Sequence, residues 1–125
     1  MRHTILAFGL IALTGCASQS GSTMAHGKPI EHWVQSLQAP DAKVRKRAAD
    51  VMGNVGAVDP AVVPALARAL KDRDRSVREA AALALLKIGP SARDAAPALE
   101  AAQHDPEPTV RTFAARALDK IRAAP

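Results

Sequence analysis

Apolar positions repeat along this chain with two periods, a short one within segments and a long one between them. Val77, Ala81, Ala84, Leu85 and Ile88 fall at offsets of 0, 4, 7, 8 and 11, one stripe of a 3.6-residue period, which predicts a helix. Related stripes stand thirty-three residues to either side: Ala48, Ala81 and Ala114 share one column, Met52, Leu85 and Leu118 another, Val55, Ile88 and Ile121 a third. The dipeptides Val44-Arg45, Val77-Arg78 and Val110-Arg111 mark the same register. A period of this length means that each unit is one supersecondary element too small to bury its apolar face alone, so neighbours stack and share a core.

A second, shorter helix is predicted upstream in each unit. Trp33, Leu66 and Leu99 form one column, Leu37, Leu70 and Gln103 another, and Pro64 and Pro97 a third. A proline is tolerated only in the first turn, so these helices are expected to start near Pro60 and Asp94. Asp41 and Asp74 stand where a carboxylate can cap the longer helix. Glu107 is a poorer cap, but Pro108 follows it in the first helical position, where a missing N–H costs nothing. Gly56 and Gly89 lie just past the stripe and are expected to end the helix in a left-handed conformation. The recurrent alanines predict close approach of the paired helices. Trp33 shares a core column and is expected to close the N-terminal end. Phe113 shares its column with Arg47 and Ala80, so it either anchors a contact or covers the open end of the array. Gln103 fits a terminal repeat with a polar outer face.

The segments DAKVRKRAADVMGNVG, DRSVREAAALALLKIG and EPTVRTFAARALDKI, with the upstream helices, resemble the HEAT family in its short phycobilisome-lyase-type variety. The resemblance covers about residues 30 to 122. It implies an all-α fold, a three-repeat right-handed α-solenoid of antiparallel helix pairs, with repeats near 30-57, 59-89 and 91-122 in a domain spanning 29-125. Protein–protein contact is the usual work of such arrays. The resemblance also implies an Asp-to-Arg ladder between neighbouring repeats, which makes Arg45, Arg78 and Arg111 structural. Spacing alone offers a second set of pairs, Asp41 to Arg45, Asp74 to Arg78 and Glu107 to Arg111, four apart on a helix.

The N-terminus follows other rules. Arg2 and His3 precede an apolar run from Ile5 to Leu13, about nine residues against the ~20 of a membrane span, and Leu13-Thr14-Gly15-Cys16 follows. This is a signal-peptide layout, and the tetrapeptide resembles the bacterial lipobox. Residues 1-15 are therefore expected to be removed and Cys16, the only cysteine, to be acylated. Residues 16-28, rich in Ser and Gly, are expected to be a flexible tether. The protein would then be lipid-anchored outside the cytoplasm, on the periplasmic face of the outer membrane if the source is Gram-negative.

Removal of residues 1-15 takes away Arg2 and leaves sixteen basic side chains against twelve acidic. Lys46, Arg47, Lys71, Arg73 and Arg75 are the excess charges outside the ladder and, with Phe113, the candidate partner contacts. An extracytoplasmic protein is the expected partner; these charges read either as a solvated face or as a basic ridge that attracts an acidic protein, anionic lipid heads or a wall polymer. Nucleic acid is not expected, because only Trp33 and Phe113 remain as aromatics for stacking. Self-association through an open end of the stack is a further outcome. His26, His32 and His104 do not converge by spacing. HEAT-like hydroxylases carry His-Glu pairs that hold iron, whereas this chain has only the reversed Glu31-His32. The expectation is thus a scaffold with no enzymatic role, catalytic residue, metal or cofactor. The alternative is an accessory lyase- or hydroxylase-like subunit acting on a cofactor-bearing partner.

Overall fold

A computed structural model describes residues 23–125; Cys16, the signal segment and most of the tether lie outside it. The chain forms a two-residue-stranded hairpin, β1 (Met24–Ala25) and β2 (Lys28–Pro29), and then alternates short and long helices. The short ones are α1 (Ile30–Ser36), α3 (Val62–Ala69) and α5 (Ala96–Ala102); the long ones are α2 (Ala42–Val55), α4 (Arg75–Ile88) and α6 (Pro108–Ala123). These pair as α1/α2, α3/α4 and α5/α6, the three repeats of an all-α solenoid. No helix among the described residues is long and apolar enough to cross a membrane.

The helices α2 and α4 are fixed at both ends by the residues expected to do so, and α6 at its start. Asp41 accepts from the backbone N–H of Lys43, and Asp74 from those of Ser76 and Val77. Glu107 makes no side-chain cap, and Pro108 opens α6. Gly56 and Gly89 have φ of 80° and 69°, as expected of stop residues, but ψ of −167° and −133°. That is the extended positive-φ region open essentially to glycine, not the left-handed helical one. Gly89 leads at once into a 3-10 helix, Gly89–Ala95, which delivers the chain to α5. The short helices start at Val62 and Ala96, two residues later than expected in each case. Pro64 and Pro97 sit within their first turns, where the absent N–H has no intrahelical partner to lose.

The core runs the length of the stack. Met52, Leu66, Leu85, Leu99 and Leu118 are all but inaccessible, together with the column alanines Ala48, Ala81 and Ala114. Long helices lie side by side in extensive contact, α2 on α4 and α4 on α6, whereas α1, α3 and α5 barely touch one another. The array therefore bends with its long helices on the inner side. Between α2 and α4 the closeness depends on an absent side chain: a Cβ placed on Gly53 would stand 2.7 Å from both Cα and Cβ of Ala84.

Residues 24–28, expected to belong to a flexible tether, instead form part of the hairpin. His26 and Gly27, with φ of 50° and 73°, make a two-residue turn that pairs Ala25 with Lys28, and Ala25 is buried. Trp33 donates its indole N–H to the Ala25 carbonyl at 3.0 Å and is itself buried. His26 and His32 meet the indole edge-on. Trp33 thus closes the N-terminal end, and it recruits residues 24–29 to do so. Beyond it the end stays partly open: Val44 is 42% exposed where Val77 and Val110, in the same column, are covered by a preceding repeat.

Candidate functional site

The recurrent arginines lock repeat to repeat. Arg45 in α2 grips Asp72 of the next repeat with two bonds, Nε to Oδ2 at 2.8 Å and Nη2 to Oδ1 at 3.1 Å. Arg78 in α4 repeats the grip on Asp105, at 2.8 and 3.3 Å. Each Nη1 meanwhile donates to two backbone carbonyls of its own turn, Ala39 and Pro40 for Arg45, Asp72 and Arg73 for Arg78. Asp72 and Asp105 also accept from the backbone N–H two residues on, so one carboxylate shapes the turn and ties two repeats. The hydrogen bonds to Asp72 push the Arg45 guanidinium, charged in any case, further above its ordinary value.

Within-helix pairs from Asp41 to Arg45, Asp74 to Arg78 and Glu107 to Arg111 do not form. Asp41 and Asp74 are occupied as caps, and Glu107 instead faces Arg75 at 3.7 Å. The inter-repeat ladder does exist, but its acceptors are Asp72 and Asp105. Their recurrence at thirty-three residues was the signal that could have revealed them.

The candidate contact residues do not form one ridge. Lys46 and Phe113 lie on the inner face, on α2 and α6. Between them runs a groove of about 120 Å³, completed by Asp50 and by Ser76, Glu79, Ala80 and Leu83 of α4. Leu83 and Phe113 are half-buried and give it an apolar floor, with Lys46, Asp50 and Glu79 as a charged rim. Lys46 is already paired with Asp50 at 2.8 Å. Arg47 lines a separate depression at the N-terminal end with Lys28, His32, Trp33, Ser36 and Val44. Lys71 and Arg73 lie on the turn edge; Arg73 borders a depression of about 510 Å³ over the Arg45–Asp72 rung and reaches the Pro40 carbonyl at 3.4 Å. Arg75 leans toward Glu107. Sequence reasoning missed Leu83, Asp50 and Glu79, because a shared helix face becomes a groove only when the interhelical distance is known. Cys16 lies outside the described residues. Among those residues no group of three or more His, Cys, Asp or Glu stands close enough to hold a metal ion.

Architecture, period and ladder define a class: a short array of paired helices with an exposed inner face. A family profile described as HEAT repeats matches residues 30–123, and the chain belongs to that family. None of the curated proteins matches it. Among solved structures it is similar to human deoxyhypusine hydroxylase in complex with glycerol, with 31% identity over 76% of this chain and a TM-score of 0.62. It is also similar to the complex of CpcE and CpcF of phycocyanin lyase from Nostoc sp., with 29% identity over 84% of this chain and a TM-score of 0.69. The chain spans 32% and 40% of those two chains. These likenesses correct the expectation of a chain without any enzymatic role, because both neighbours belong to enzymes.

Proposed function

We propose that this chain is a HEAT-repeat docking module, tethered through an acylated Cys16 outside the cytoplasm, that presents the inner face of its long helices to a protein partner. The observation carrying the contact is the groove between α2, α4 and α6, where half-buried Leu83 and Phe113 are ringed by Lys46, Asp50 and Glu79. An apolar centre with a charged rim is the arrangement that gives protein interfaces both adhesion and register. The sequence supports the tether through the Leu13-Thr14-Gly15-Cys16 motif and the single cysteine. Mass spectrometry is expected to find a chain beginning at an acylated Cys16; an intact Met1 refutes the anchor. Co-purification of the solubilised protein tests the contact. Phe113→Ser and Leu83→Ser should each release a stoichiometric partner while melting well above Leu85→Ala, and full retention of the partner by both refutes the inner face.

The two solved neighbours support a second reading, an accessory subunit of a lyase- or hydroxylase-like assembly that acts on a cofactor-bearing partner. Visible absorbance or stoichiometric iron in the co-purified complex supports it. A complex free of both favours the docking module alone.

A further inference from the structure

Given an array that docks a protein partner, the third rung of its ladder specifies the chemistry of one contact. Arg111 stands in the column of Arg45 and Arg78, and its Nη1 donates to two turn carbonyls, Asp105 at 2.8 Å and Pro106 at 3.1 Å, as theirs do. In the first two rungs the opposite edge, Nε with Nη2, holds an aspartate of the following repeat. On Arg111 that edge meets no carboxylate among the described residues, and the side chain is exposed, whereas that of Arg45 is only 5% exposed. The Nη1 contacts alone hold the guanidinium plane, so the free edge is oriented before any acid arrives. We infer that Arg111 is a preorganised receptor for one carboxylate, supplied by an aspartate-bearing interhelical turn of a separate helical protein.

The surroundings bear on the occupant. Ala49 and Ala82, whose column continues at Ala115, are wholly buried by the following repeat; Ala115 is half-buried and small enough to let a helix approach. The α5 side of the same end is polar: Gln103 replaces Leu37 and Leu70, and Glu100 pairs with Arg122 at 3.2 Å. The contact is therefore confined to the flank of α6. A second copy of this chain stacked head to tail on this end would bring Ala39, not an acid, to the position that Asp72 and Asp105 fill. A polypeptide with an acid at that turn position fits instead, and the bidentate geometry selects a carboxylate in the guanidinium plane.

Photo-crosslinking in intact cells tests this, with benzoylphenylalanine placed in the full chain at Ala115 or, separately, at Leu83 in the inner groove. The expected result from position 115 is a crosslink mapping within a few residues of an aspartate or glutamate in an interhelical turn of another protein. Arg111→Ala should reduce its yield about tenfold, and Arg111→Lys, which keeps the charge without the fork, should also reduce it. No crosslink, a crosslink to a second copy, a site lacking an acid, or a yield indifferent to Arg111→Ala overturns the inference. A crosslink from Leu83 alone leaves the docking module standing without this rung. Silence at both positions removes both.

Discussion

The two layers of the array solve the same packing problem differently. The long helices approach so closely that Gly53 has no room for a side chain against Ala84, and their buried surface is largely alanine. The short helices touch one another little and hold the stack through large residues pointing inward, among them Ile30, Trp33, Val62, Leu66 and Leu99. Close-packed small residues fix distance and curvature, while widely spaced large ones fill volume. The inner layer can therefore present a groove of defined shape, and the outer layer tolerates prolines and a 3-10 segment.

Substitutions that act on one layer only would break this contrast. Leu85→Ala, wholly buried in α4, should have the largest effect, a loss of ~2–5 kcal/mol through its cavity; denaturant unfolding reads it directly. Gly53→Ala is more discriminating. In an ordinary helix it would stabilise by up to ~1 kcal/mol. Here the new methyl meets backbone as well as side chain of Ala84, so a net loss of ~1–3 kcal/mol is expected. A gain would show that α2 and α4 lie further apart than described.

Asp74 gives a pH signature. Hydrogen bonds from the Ser76 hydroxyl and from backbone N–H groups hold its carboxylate below the ordinary 3.8. A group lowered in the folded state contributes fully above its unfolded value and loses that contribution as pH falls through the folded one. Asp74→Asn should therefore flatten the acid limb of the stability profile below about pH 4, and an unchanged limb would deny the cap any electrostatic part. The smallest effect belongs to Arg122→Ala. Its pair with Glu100 has side chains 61% and 57% exposed, so the melting point should shift by no more than ~1 kcal/mol implies.

Much of this was legible in the sequence because the repeat writes it three times. The columns of Ala48, Met52 and Trp33 gave the core, and Asp41, Asp74 and Pro108 the helix starts. What stayed hidden depended on distances between segments. Asp72 and Asp105 recur as plainly as the arginines, yet nothing in spacing says that Arg45 reaches twenty-seven residues forward in preference to four back to Asp41. The hairpin around His26-Gly27 has the composition of a tether because its stability comes from Trp33 beneath it and not from its own residues. The groove with Leu83 at its floor needed the α2–α4–α6 spacing, of which Gly53 sets the α2–α4 part.

The interlocking of repeats by the ladder is tested most directly by a double-mutant cycle on Arg78 and Asp105, followed by unfolding in denaturant. Both side chains are largely buried, at 15% and 8% exposure. Arg78→Ala and Asp105→Ala should each destabilise, with the double variant well short of their sum and a coupling of about 0.5–3 kcal/mol. Additive losses, with coupling near zero, would contradict a ladder that ties one repeat to the next.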